Sequence, residues 1–241
     1  MGIETRASLQ TPEPGTQTEM IGFYTRYYVG EKQDSPNKSR VSLRRRLHKA
    51  AGNLDSNALV LDLGAGRQVF EREYIQAYGT HGLRLVSLDL ASIPHKNMLA
   101  SSAAAHVKAS GAALPFIDGA FDMVISSMAI DFIPPEAIRE TQRVLKPGGK
   151  LLLNLHHPSL IPEKLDDIAK RKRLSQRTKD VLDFFKYLRD NNILLADIPV
   201  IRERFEGHGF EVERIAEAND RVDKWWEVDM RKMGGNNGRA G

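Results

Sequence analysis

Asp62 stands where the apolar run Val60-Leu61-Asp62-Leu63 meets Gly64-Ala65-Gly66. Glycines let a backbone approach a ligand closely, and a helix beginning just after them would offer free amides to an anionic group. The turn does not complete a dinucleotide fingerprint, because Val69 occupies the position of the third glycine. A carboxylate here would repel a pyrophosphate and would suit a ligand bearing an ammonium group. A second acid, Asp89, ends the run Val86-Ser87-Leu88, at the place where doubly wound folds hold ribose hydroxyls with two acceptor oxygens. A strand-ending aspartate is also a plain capping residue, so neither acid decides the chemistry alone. His156 and His157 follow a third apolar run and precede Pro158. An imidazole near its ordinary pKa could take a proton from an acceptor hydroxyl or amine, or could simply bond to a loop backbone group. Pro158 restricts His157 to an extended conformation, so the two rings should point in different directions. Asp131 follows another apolar run and reads mainly as a helix-entry residue.

Such residues act together only if a scaffold gathers the ends of several strands. The pattern predicts strands over 58–63, 83–88, 106–109, 121–126, 150–155, 210–216 and 224–230, and helices over 40–51, 68–78, 135–145 and 197–205. The strands are continuous Leu/Val/Ile runs and not period-two alternations, which marks parallel strands covered on both faces by helices. The class is α/β. Val69, Phe70, Tyr74, Ile75 and Tyr78 fall on one face of the helix over 68–78, as packing on a sheet requires.

Composition narrows the function classes. The 241 residues are 41% hydrophobic and 27% charged, a soluble globular balance. No run reaches the roughly 18 to 20 apolar residues of a membrane span, and residues 1–6 lack a signal segment, so the expected location is the cytoplasm. Cysteine is absent, which excludes disulfides and thiolate chemistry, and no metal site is expected. The net charge of +4 is mild. Basic residues cluster at Arg40, Arg44, Arg45, Arg46 and Lys49, and again at Lys170, Arg171, Lys172, Arg173, Arg177 and Lys179. Acids interleave near the second tract, so both read as solvated helix faces, with an anionic partner as the alternative. Nucleic acid is not an expected partner.

The series Leu61-Asp62-Leu63-Gly64-Ala65-Gly66, Leu88-Asp89, Leu114-Pro115-Phe116, Phe121-Asp122-Met123-Val124-Ile125-Ser126-Ser127 and Arg143-Val144-Leu145-Lys146-Pro147-Gly148-Gly149 resembles the class I methyltransferases that use S-adenosylmethionine, particularly the small-molecule, type 11 branch. The resemblance implies a Rossmann-like sheet of seven strands, mostly parallel, with the last inserted antiparallel. It implies Asp62, Gly64 and Gly66 at the methionine end of the cofactor and Asp89 on the ribose, and it extends the cofactor-binding set to Leu90, Ser110, Gly111 and Ser126. It makes Lys146-Pro147-Gly148-Gly149 a scaffold turn.

Departures from the family pattern are local. Gln68 replaces a usual third glycine, and its side chain would narrow the site or donate, beside Arg67, to the cofactor carboxylate. Ser110 replaces the acid that usually holds the adenine amino group; a hydroxyl accepts but carries no charge. The expected organisation is a flexible tail over 1–18, a helical lid over 19–56 in which Tyr24, Tyr27 and Tyr28 close on the cofactor or anchor the leader, a core over 57–232 with a helical insertion over 158–196, and a tail over 233–241. Trp225 and Trp226 read as packing and edge residues of the last strand. The resulting expectation is methyl transfer to a small molecule, with His156 or His157 as base. An RNA- or protein-directed methyltransferase, a non-catalytic S-adenosylmethionine-binding scaffold and, more distantly, a nicotinamide oxidoreductase are the alternatives.

Overall fold

The computed structural model describes residues 38–80, 82–91, 93, 104–130, 136–159, 170, 197–220 and 224–234. Tyr24, Tyr27, Tyr28, Asp131, nearly all of the expected insertion and both expected tails, apart from Met233 and Gly234, lie outside the described residues. In chain order the elements are α1 (Lys38–Ala51), β1 (Leu59–Leu63), α2 (Val69–Tyr78), β2 (Arg84–Asp89), β3 (Ala104–Lys108), β4 (Phe121–Ser127), α3 (Glu136–Val144), β5 (Leu145–His156), α4 (Ile198–Glu206), β6 (Phe210–Asn219) and β7 (Lys224–Lys232).

The strands form one sheet in the order β3-β2-β1-β4-β5-β7-β6. Strands β1 to β5 pair in parallel, whereas β7 runs antiparallel to both β5 and β6. The last strand is therefore interior. Trp225 and Trp226 are buried packing residues but do not lie on an edge strand, because β6 closes that side of the sheet. Strand β6 alternates in burial along its length, as expected of an edge strand with one face on the core.

Alternating side chains of the central strands serve two cores. Val60, Leu85, Met123, Ile125 and Leu152 pack with Leu43 and Leu47 of α1 and Phe70 and Tyr74 of α2. Leu61, Leu63, Val124, Leu151 and Leu153 pack with Ile138 of α3 and Ile201 and Phe205 of α4. These are the two helical layers that cover a parallel sheet.

The shared motifs turn out to brace this scaffold. Arg143 donates to the carbonyls of Phe116 at 2.7 Å and Leu114 at 3.0 Å and pairs with Asp118 and Glu140, so it clamps the Leu114-Pro115-Phe116 loop. Asp122 accepts from the Leu59 amide at 2.9 Å and from Lys146 Nζ at 2.7 Å, joining β1, β4 and the turn inside β5. At Gly149 a Cβ would fall 2.9 Å from the Lys146 carbonyl oxygen.

The first basic tract is largely committed within the fold. Arg40 and Arg44 bind Glu73 of α2, and Arg46 reaches across the sheet to Asp229 of β7, the Leu153 carbonyl and Asn154 of β5. All three arginines are at least 84% buried as side chains, their exposures being 16%, 15% and 12%. The expectation of a solvated face is corrected for these residues, because acids on two neighbouring elements draw them inward. Of the second tract, only Lys170 is described.

Candidate functional site at the carboxyl ends of the strands

Strand β1 lies between β2 and β4, so chain connections leave it in opposite directions and open a crevice beyond the strand ends, where open α/β sheets bind ligands. Two contacts shape that crevice. Gly64, with φ +80°, lies so close to the loop after β4 that an added Cβ would be 2.3 Å from the Ala129 Cβ. Ser126 Oγ donates to the Leu63 carbonyl at 2.8 Å and accepts from the Ile130 amide at 3.0 Å. Ser126 is fully buried, so its hydroxyl is spent on joining the ends of β1 and β4.

The glycine turn is tied just as firmly to β2. Amides of Gly64 and Ala65 both donate to the Leu88 carbonyl, at 2.8 and 3.1 Å. The Gly66 amide donates to Asp89 Oδ2 at 2.8 Å, and the Ala91 amide to Asp89 Oδ1 at 2.8 Å. These bonds preorganise the turn ahead of α2. Asp89 is 8% exposed, and burial pushes its carboxyl above the usual range against the pull of those amides. The Leu90 amide adds a further bond to this carboxyl, and a carboxylate offers about four acceptor positions in all.

Gln68 adopts the left-handed conformation, φ +61°, that the glycine of the usual pattern would take. Its side chain is buried and points away from both expected roles: Nε2 donates to Ser87 Oγ at 2.8 Å and to the Ala104 carbonyl at 3.1 Å. Gln68 therefore stitches α2 to β2 and β3. Beneath the turn, Asp62 is buried against Glu71, itself fully buried. Burial raises the Asp62 carboxyl to about 7, and burial together with Asp62 raises Glu71 well above the usual carboxylate range.

Beyond β3, Ser110 Oγ accepts from the Ala112 amide at 3.2 Å, turning the loop in which Gly111 is buried; Leu90, after β2, is half-buried. His157 Nδ1 accepts from the Ser159 amide at 3.2 Å, its Nε2 lies 3.6 Å from Glu217, and its ring rests 4.8 Å from that of Trp226. It is thus held toward the β6–β7 side. His156 is half-buried and ends β5 beside Trp225 of β7. Glu71 is the site residue that sequence reasoning missed. Its signal was present, since it lies one turn before Tyr74 and Ile75 on the face of α2 that packs on the sheet. Among the described residues no cluster of His, Asp and Glu could hold a metal ion, and no helix is long and apolar enough to cross a membrane.

Residues 61–153, which contain β1 to β5 nearly whole and every crevice residue above except His156 and His157, match the methyltransferase-domain family. This segment is similar to methyltransferase domains. Within the curated proteins, the domain's chain is 33% identical over 125 residues to the ubiquinone/menaquinone biosynthesis C-methyltransferase UbiE of Shewanella pealeana, a match covering 48% of this chain and 49% of that one. The chain thus spans about half the length of the curated relatives it matches. In fold, it is similar to the 1,6-didemethyltoxoflavin-N1-methyltransferase of Burkholderia thailandensis, solved with bound 1,6-didemethyltoxoflavin and S-adenosylhomocysteine: TM-score 0.66, 16% identity, 95% of this chain and 93% of that one. It is also similar to the [4+2]-cyclase SpnF, with TM-score 0.60, 14% identity, and 95% and 100% coverage. Solved structures of this fold are named for more than one reaction, so the site must carry the assignment.

Proposed function

We propose that the protein is an S-adenosylmethionine-dependent methyltransferase acting on a small molecule. The observation that carries this reading is Asp89, a buried carboxylate at the end of β2, fixed by the amides of Gly66 and Ala91 at the strand end where doubly wound folds hold a ribose diol. When bound, the cofactor supplies an electrophilic methyl on a sulfonium. In this reading Asp89 holds the ribose, Asp62 and the turn over Gly64 and Gly66 receive the amino-acid end, and Leu90, Ser110 and Gly111 border the adenine. Ser126 positions the crevice through Leu63 and Ile130. Support for a small acceptor comes from the substrates named for the UbiE proteins and the toxoflavin enzyme.

Transfer requires the acceptor to be aligned with the methyl and, where it carries a proton, a base. His156 or His157 is proposed for that role; His157 is held by Ser159, Glu217 and Trp226, and His156 ends β5 beside Trp225. Location in the cytoplasm belongs to the same proposal, as does the absence of a nucleic-acid site, which the internal pairing of Arg40, Arg44 and Arg46 supports. Calorimetric titration with S-adenosylmethionine and with NAD tests the cofactor; methyl release across a metabolite panel tests the activity. A catalytically silent protein that binds S-adenosylmethionine would point to a scaffold. Tight, selective binding of RNA in a gel-shift titration would redirect the acceptor assignment.

A further inference from the structure

Glu71 is fully buried, and neither of its oxygens is met by an N–H or O–H donor in hydrogen-bonding geometry. It faces the carboxyl of Asp62 from the first turn of α2, above the carboxyl end of β1. Gln68, one turn earlier, leaves its buried Oε1 without a donor as well. Acceptors thus outnumber donors beneath the glycine turn, and two facing carboxyls can coexist there only if one keeps its proton.

We infer that Glu71 is a positioning residue that stays a neutral acid, donates its O–H to Asp62, and so holds Asp62 as the receiver of an ammonium group on an amino-acid-bearing ligand. This rests on the cofactor reading above and deepens it by assigning the partner that poises Asp62.

The electrostatic asymmetry runs the same way. Burial raises both carboxyls, Asp62 to about 7 and Glu71, the deeper and donorless one, further above the usual range, and an O–H of Glu71 directed at Asp62 acts to lower Asp62. Asp89 of β2 adds repulsion to both carboxyls. From α2, Gln68 is neutral and committed to Ser87 and Ala104; from α1, Arg40 and Arg44 turn to Glu73; Ser126 of β4 is neutral and bonded to Leu63. With Asp62 near 7, entry of an ammonium ion breaks the O–H bond in the protonated fraction of Asp62. That proton leaves to solvent, while Glu71 keeps its own.

S-adenosylhomocysteine carries the ammonium but no sulfonium, and is the probe. Titrated calorimetrically into the full chain from pH 5.5 to 8, in buffers of different ionisation enthalpy, it should release about half a proton at pH 7, with affinity falling by up to tenfold per pH unit below about 7. In Glu71→Gln the carboxamide N–H donates to Asp62 in place of the acid, and the break in affinity stays near neutrality. Glu71→Leu removes the donor, moves the break upward by about one pH unit and weakens binding at pH 7 several-fold. A loss of stability alone would not move the break. Binding by the wild type with no proton release, or a break unmoved in Glu71→Leu, overturns the inference while leaving the cofactor reading intact. If Glu71→Leu is too unstable to titrate, the wild-type proton count decides. No binding of S-adenosylhomocysteine by the wild type overturns the cofactor reading and this inference together.

Discussion

The amide of Gly66 donates to Oδ2 of Asp89 across 2.8 Å, so the residue proposed to hold the ribose is also the one that fastens the glycine turn to β2. Ligand binding and loop geometry are coupled through a single carboxylate.

Asp89→Ala should therefore weaken S-adenosylmethionine binding about a hundredfold, or about 3 kcal/mol, through loss of two charge-assisted bonds. Asp89→Asn keeps one acceptor oxygen and should lose less. Calorimetry on both variants checks this; unchanged affinity in Asp89→Ala removes the ribose assignment.

Gly64→Ala combines a left-handed residue with a Cβ 2.3 Å from that of Ala129. The expected cost is on the order of 3 kcal/mol in urea denaturation, accompanied by loss of cofactor binding. Gly148→Ala serves as the comparison. It shares a positive φ, +75°, but a Cβ there meets nothing within 4 Å, so it should cost only about 1 kcal/mol and leave binding unchanged.

Replacing the histidines one at a time separates their roles. His156→Gln should lower the rate of methyl transfer by about a hundredfold or more if the acceptor must lose a proton to it, whereas His157→Gln should leave the rate within a few-fold of the wild type. The reverse result assigns the base to His157, and no effect from either leaves an acceptor that is already nucleophilic.

Stability should fall as pH rises toward neutrality. Asp62 has a folded-state pKa of about 7, above its unfolded value of about 4, so the native state binds more protons than the unfolded state throughout that window. The stability contributed by the protonated acid is complete below about pH 4 and lost as pH climbs to about 7. Urea unfolding at pH 5.5 and 8 should show a loss in the wild type of which about 2 kcal/mol is due to Asp62 and disappears in Asp62→Asn, while the share due to Glu71, whose carboxyl burial also raises, remains. Equal losses in both proteins would contradict it.

Much of the architecture was legible from Leu/Val/Ile runs and from the glycine turn, because continuous apolar strands and a strand-to-helix turn are local patterns that burial on both faces imposes. The predicted strand over 58–63 became β1 (Leu59–Leu63), and the acid ending β2 was found in its expected place. What could not be read locally was the partner each polar group would choose. Gln68 looked like a ligand contact but reaches Ser87 and Ala104 on two other strands. Arg46 looked solvated but bridges β5 and β7, and the hydroxyl of Ser126, a residue expected in the cofactor set, ties Leu63 to Ile130. The amides of the glycine turn reach Leu88 and Asp89 on the neighbouring strand. A sequence determines which groups need hydrogen-bond partners when buried and roughly where strands end. Only the packed order β3-β2-β1-β4-β5-β7-β6 decides which of them meet, because every one of these pairings crosses between elements and depends on sheet order and register. Glu71 against Asp62 is the same case: one turn of helix and one strand end, each ordinary alone, become facing buried carboxyls only when α2 packs on β1.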